Sequence, residues 1–426
     1  MTTALLTDHY ELTMLRAALA SGVAGRSCVF EVFARQLPAG RRYGVVAGTA
    51  RVLAAVRDFH FGTDELGRLL ANGVVDAATA DWLSAYSFSG DLDGHAEGET
   101  WFPGTPVLTV RGSFGECVLL ETVVLSVLNH DCAVAAAASR MVTAANGRPC
   151  VEMGGRRTHE WAAVAAARAA YVAGFAGSSN LEAGRTWGVP TSGTSAHAFT
   201  LLHDTEHAAF TAQVAALGAG TTLLVDTYDV EQGVRTAVAA AGTGLGAVRI
   251  DSGDLGALAH EVRAQLDGLG ATGTRIVVTG DLDEHAIAGL GAAPVDSYGV
   301  GTSVVTGSGA PTAGFVYKLV EVDGRPVHKT STGKATRGGP ADVLRRSGSD
   351  GVAIADVLRP AGSRPARLEE RPLHVPLMRG GVVVGDDELA AARARCARSR
   401  AGLPRSALQL LRGEPALATV LADWPG

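Results

Sequence analysis

Between residues 149 and 303 one pattern recurs seven times: a short apolar run, a polar turn rich in glycine and hydroxyl residues, then a stretch with helical spacing. The runs and turns occupy 149–157, 174–180, 188–197, 222–229, 247–254, 275–281 and 297–303. Continuous apolar runs of this length suit strands buried on both faces, as in a parallel sheet covered by helices. Successive strand–helix–strand units cross over with one hand. So many in series predict an irregular, closed or nearly closed parallel β/α barrel. The units share a pattern and not residues, so this is no solenoid. In a barrel the chemistry belongs at the carboxyl ends of the strands. Arg156, Ser179, His197, Asp226, Asp229, Arg249, Asp251, Asp281 and Gly301 fall there.

The flanks read differently. Residues 1–132 look like a mixed α/β domain, 133–307 like the barrel, and 308–426 like a segment that completes the first domain. A helix starts after Thr7 or Asp8, a strand covers 28–33, and a loop at 101–107 enters a second strand. Residues 121–134 form a mostly apolar helix carrying Asn129 and His130. A hairpin spans 316–329 with Asp323-Gly324 at its turn, and a further helix covers 387–400.

Composition narrows the function classes. The net charge of -6 and pI near 6.1 argue against a nucleic-acid or polybasic membrane surface. No apolar run looks long enough to span a bilayer. The first residues carry Asp8 and Glu11 and no basic n-region, unlike a signal peptide. Five scattered cysteines without metal-ligand spacing fit a reducing cytoplasm. Only three of 37 basic residues are lysines, and Lys318, Lys329 and Lys334 lie in one short window. Compact ammonium charges there suit a phosphate-bearing ligand.

The strand-end turns suggest specific chemistry. His197 follows Thr191-Ser192-Gly193-Thr194-Ser195-Ala196, a loop of small residues that lets a phosphate or flat ring approach the backbone. Its imidazole can serve as nucleophile, base or phosphate acceptor. Arg249-Ile250-Asp251-Ser252-Gly253-Asp254 offers a cation for an anion and carboxylates for ribose hydroxyls or a metal-bound pyrophosphate. Asp226-Thr227-Tyr228-Asp229 adds two carboxylates. For each aspartate the plainer alternative is a helix cap, a role expected of Asp229 and Asp254. Gly299-Val300-Gly301-Thr302 could cradle a phosphate with backbone N–H groups. A Walker lysine, a dinucleotide fingerprint and zinc spacing are all missing from the sequence.

Together with Thr7-Asp8-His9-Tyr10-Glu11-Leu12-Thr13-Met14, Phe30-Glu31, the 152–157 turn and Tyr317-Lys318-Leu319, these segments resemble the nicotinate phosphoribosyltransferase family. The resemblance keeps its order over roughly three quarters of the chain. It implies a type II phosphoribosyltransferase barrel with an α/β sandwich domain built from the N- and C-terminal parts, assembled as a homodimer with shared sites. It also implies that nicotinate and phosphoribosyl pyrophosphate become nicotinate mononucleotide and pyrophosphate. ATP is the co-substrate and Mg2+ accompanies pyrophosphate and ATP. By this resemblance His197 is the phosphorylated residue, Asp226 orients it and Asp251 meets the ribose. Tyr10 of a neighbouring subunit stacks on the pyridine ring, and Arg156, Arg249 and Ser179 contact the ring or its carboxylate. Gly280, Asp281, Gly299, Gly301 and Thr302 hold the 5′-phosphate, and Arg35 and Lys318 serve the pyrophosphate. Met153 stands where the family has an aromatic residue, His130 where it has phenylalanine, and Lys334 lies in a loop without the family's Pro-Gly-Lys pattern. Relatives acting on nicotinamide or quinolinate are the nearest alternatives; paired arginines favour an acid ring, and His197 speaks against the ATP-independent quinolinate enzymes. A sugar-phosphate barrel lyase would want a Schiff-base lysine at a strand end, and no lysine precedes Lys318.

Overall fold

The computed structural model describes residues 2–330, 337–363, 367–385 and 388–424; Lys334 and Asp387 lie outside the described residues. The chain forms two compact units, Ala137–Gly309, and Met1–Ala136 with Ala310–Gly426. The sequence-based boundaries of 132/133 and 307/308 fall a few residues before these.

Within 137–309 a six-stranded sheet runs in the order Gly177–Ser178, Cys150–Glu152, Ser297–Val300, Arg275–Val278, Ala247–Ile250, Thr222–Leu224. Every pairing is parallel. Ser297–Val300, the last of these strands in the sequence, pairs with Cys150–Glu152, the first. The third segment departs from expectation. It contributes one parallel bridge, Thr191 to Ser178, and His197 does not end a strand but opens the short helix His197–Leu201. The reason is local. The Pro190 carbonyl accepts from the Ser178 N–H at 3.0 Å, and the Ser192 N–H returns to the Ser178 carbonyl at 3.0 Å. Pro190 has no N–H to extend the ladder, and Ser192-Gly193-Thr194-Ser195 has no apolar side chain to bury. Among the described residues no ladder joins Thr191 to Thr222–Leu224, so the irregular barrel is open at that seam.

Polar residues three places beyond a strand-end group start the helices. Asp229 accepts from Gln232 N–H at 2.8 Å and Asp254 from Ala257 N–H at 3.1 Å. Asn180 and Thr205 cap the next turns in the same way. The first aspartate of each Asp-x-x-Asp pair, Asp226 and Asp251, is thereby left for another task.

The other unit is built from both ends of the chain. Ser27–Ala34 lies between Phe315–Val322 and Leu108–Ser113 in a seven-stranded antiparallel sheet. The expected hairpin closes at Asp323 and Gly324, both at positive φ. A four-stranded sheet contains Ala341–Ser347 and Ala353–Pro360, and Ala418–Leu421 adds a parallel edge. The C-terminal helix is Leu389–Ala401.

The helix expected at 121–134 runs Glu121–Ala145, because Ala135–Ala138 and Met141 continue its apolar face. Contrary to expectation, Phe114–Ala145 is long and apolar enough to cross a membrane on length and composition. Many of its side chains are instead core: Val123, Val124, Leu128 and Cys132 belong to the same buried cluster as Val32, Leu92 and Val110.

Candidate active site

The strand ends of the parallel sheet converge on His197. Asp226, just beyond Thr222–Leu224, has a side chain only 1% exposed. Its Oδ2 accepts from the Asp251 N–H at 2.9 Å and the Ser252 hydroxyl at 2.7 Å. Its Oδ1 is buried and, among the described residues, has no hydrogen-bond partner. His197 Nε2 stands 3.8 Å from that oxygen. His197 Nδ1 lies 3.1 Å from the Thr227 hydroxyl. One carboxylate oxygen is therefore fixed by two donors while the other faces the imidazole.

Arg249 knits the loop to the sheet. Its Nε donates to the Thr279 hydroxyl at 2.9 Å, Nη1 to the Thr194 hydroxyl at 3.0 Å and the Ser195 carbonyl at 3.4 Å, and Nη2 to Asp251 at 3.0 Å. The guanidinium has five N–H groups, so these bonds leave little of it for a ligand. Asp251 Oδ1 also accepts from the Thr279 hydroxyl. Burial alone would raise the Asp251 carboxyl pKa. The hydrogen bonds from Thr279 and Arg249 and the charges of Arg249 and His197 outweigh it and hold the group below the ordinary carboxylate value. Asp251 is thus ionised at neutral pH, with Oδ2 left for a ligand.

The remaining turns are more exposed. Arg156 and Ser179 lie at the surface of their strand ends. Gly280 and Asp281 both have positive φ. A Cβ on Gly280 would sit 2.5 Å from the Asp251 carbonyl oxygen, so only glycine fits. Gly301 and Thr302 stand at the end of Ser297–Val300, but Gly299 lies within that strand. A Cβ there would come 2.5 Å from Thr279 Cγ2 and 2.7 Å from Met153 Sδ. Gly299 therefore serves close packing, and Met153 fills the space beside it.

The family model for the nicotinate phosphoribosyltransferase (NAPRTase) N-terminal domain matches residues 5–129. A nicotinate phosphoribosyltransferase of Mycobacterium tuberculosis is 62% identical over 424 residues, covering 97% of this chain and 94% of that protein. The chain belongs to the nicotinate phosphoribosyltransferase family. The family member of Bacillus subtilis is 35% identical over 332 residues, 75% of this chain and 68% of that protein. The crystal structure of human nicotinic acid phosphoribosyltransferase matches with a TM-score of 0.85 at 26% identity, covering 98% of this chain and 97% of that one.

Family membership directs attention to Tyr10, Arg35 and Lys318, all in the unit of 1–136 and 310–426. Tyr10 is 44% exposed on the helix His9–Ala20. Burial and the carboxylates Glu121 and Glu11 raise its hydroxyl pKa, and Glu121 accepts its hydrogen bond. Burial raises the Glu121 pKa and the charge of Lys318 opposes it. Glu121 thus links two expected ligands, which the sequence did not suggest. Lys318 pairs in register with Glu31. Arg35 lines a cavity of about 330 Å³ with Glu31, Phe33 and Arg337. His130 lies 2.8 Å from Asp131, which also pairs with Arg51 at 2.7 Å. Among the described residues no cluster of three or more metal-binding side chains occurs.

Sequence reasoning missed Thr227, Ser252 and Thr279 as site members. Thr227, Ser252 and Thr279 each adjoin a residue that was singled out, so the Asp-Thr, Asp-Ser and Thr-Gly pairs were the available signal.

Proposed function

We propose that this chain joins nicotinate to phosphoribosyl pyrophosphate, forming nicotinate mononucleotide and pyrophosphate, with ATP hydrolysis coupled through a phosphohistidine at His197. The observation that carries this reading is the buried, otherwise unpartnered Asp226 Oδ1 facing the His197 imidazole. On closing from 3.8 Å, Asp226 Oδ1 would accept from the His197 Nε2–H, fix the tautomer and leave the lone pair of Nδ1, beside the Thr227 hydroxyl, to attack phosphorus. The γ-phosphoryl group passes to that nitrogen, ADP leaves, and Asp226 stabilises the cationic ring. Water later cleaves the P–N bond and releases phosphate.

In glycosyl transfer the pyridine nitrogen attacks C1 as the bond from C1 to pyrophosphate breaks. Positive charge develops on the ribose, and the ionised Asp251 beside it is a fitting electrostatic partner and ribose-hydroxyl acceptor. Arg156, Ser179 and the remaining N–H of Arg249 would receive the ring and its carboxylate. Tyr10 of a second subunit in a homodimer would stack on the ring. Gly280, Asp281, Gly301 and Thr302 suit the 5′-phosphate, and Arg35 and Lys318 the leaving pyrophosphate. Mg2+ would come with pyrophosphate and ATP and neutralise their charge; the free Oδ2 of Asp251 and the exposed Asp281 are hard oxygen donors that fit it. Five buried thiols support a reducing compartment such as the cytoplasm.

The test is incubation with nicotinate or nicotinamide, phosphoribosyl pyrophosphate and Mg2+, with and without ATP, followed by chromatography of the products. Nicotinate mononucleotide should form, faster with ATP, and nicotinamide should react far more slowly. Comparable rates for the two rings would remove the roles of Arg156 and Arg249.

A further inference from the structure

Glu152 ends the strand Cys150–Glu152, and its side chain is fully buried at 0% exposure. Nothing in the mechanism above uses it. Its Oε1 accepts the Gly154 N–H, and its Oε2 accepts the Ser178 hydroxyl at 2.5 Å. The Ser178 oxygen, itself buried, accepts the Asn180 N–H at 2.8 Å. The backbone carbonyl of Glu152 accepts the Ser179 N–H at 2.8 Å. The residue is therefore tied on one side to the 153–157 turn, which carries Arg156. On the other side it is tied to the end of Gly177–Ser178, which carries Ser179.

The turn has little freedom apart from this. A Cβ on Gly154 would lie 2.3 Å from Val305 Cγ1 and 2.9 Å from the Gly301 carbonyl. The Arg157 N–H donates to the Gly154 carbonyl at 2.8 Å. Burial raises the Glu152 pKa, partly offset by the bonds from Ser178 and Gly154, and no cation contributes. A buried carboxylate without a cation is costly to keep, and a glutamine or an apolar residue would fill the same space.

We propose that Glu152 is a positioning residue of the nicotinate pocket: its carboxylate clamps the Arg156 turn to the Ser179 strand end and so sets the spacing of the two ring contacts. The inference rests on the proposed nicotinate reaction. It assigns Glu152 to ring recognition and not to the His197 step, whose residues lie on other strand ends.

The test uses the full-length enzyme with Glu152→Gln and Ser178→Ala. Glutamine cannot accept both bonds, and alanine removes one leg of the clamp while leaving the carboxylate. Each variant should raise the KM for nicotinate roughly tenfold, the cost of a lost charge-assisted bond. The KM for phosphoribosyl pyrophosphate and ATP-dependent labelling of the protein should stay within about twofold. The double variant should be no worse than the poorer single one, because both lesions open one clamp. An unchanged nicotinate KM in Ser178→Ala overturns the proposal, as do two KM values rising together with a falling Tm, the mark of general loosening. Should Glu152→Gln fail to fold, Ser178→Ala decides alone. If the wild-type enzyme makes no nicotinate mononucleotide, the functional reading fails and takes the clamp with it. If the wild type makes it and the variants keep its KM, only the clamp fails.

Discussion

Replacing Asp226 with asparagine removes a charge and little else. The Asp251 N–H and the Ser252 hydroxyl still find an amide oxygen where Oδ2 stood. What changes is the group facing His197 at 3.8 Å. Opposite unit charges at that distance attract by about 1 kcal/mol in a water-like medium and about 4 kcal/mol at an effective dielectric constant of about 20. The His197 side chain is 41% exposed, so screening applies on one side. A value near the middle, about 2 kcal/mol, corresponds to roughly thirtyfold in rate. The charge appears on the ring only as phosphorus–nitrogen bonding proceeds, so the loss falls on the phosphorylation step. Single-turnover transfer of label from γ-labelled ATP to Asp226→Asn should be slower by that factor, with an unchanged Tm. A rate within about twofold of wild type would refute the orienting role.

Other outcomes follow from the packing and the titrating groups. Gly299→Ala would force a methyl between Thr279 and Met153, at 2.5 and 2.7 Å, and should destabilise the barrel unit by about 1–3 kcal/mol in urea unfolding. His95 is buried and His374 half-buried, with ring centroids 5.3 Å apart. Burial pushes His95 well down and His374 to about 4, despite the latter's bond to the Pro106 carbonyl. The unfolded chain therefore binds more protons below the ordinary histidine value, and as pH falls from 6.5 to about 4 stability should drop by about 3 kcal/mol through His374, with His95 acting in the same direction. His374→Gln should flatten that part of the urea-midpoint profile. If sites are shared across a dimer, mixing Tyr10→Ala with His197→Ala should restore activity after subunit exchange. No recovery beyond the parents would place Tyr10 wholly in its own subunit's service.

Much of this was legible in the residues. The strands Ala247–Ile250 and Arg275–Val278 are mostly covered, so burial writes itself as short apolar runs, interrupted in the first only by the site residue Arg249. The Asp-x-x-Asp spacing separates a site carboxylate from a helix cap, and Asp226 and Asp229 divide in that way. The His197 loop was harder to read. Val189 and Pro190 suggest a strand, but the pairing that would extend it needs an N–H that proline lacks. The helix at 121 outran its expected end because alanines carry no stop signal. Glu152, Glu121 and Thr279 escaped notice for a common reason. Each acts through partners on another strand or helix, and such contacts leave no spacing in the sequence. At Gly299 the letter alone does not show the close packing of Thr279 and Met153 around its Cβ position.

The central claim is that His197 accepts a phosphoryl group beside Asp226. Protein incubated with γ-labelled ATP and Mg2+ and then digested should yield a single labelled peptide containing His197, its label acid-labile and base-stable, and His197→Ala should carry none. Equal labelling of His197→Ala, or label that survives acid, would contradict it.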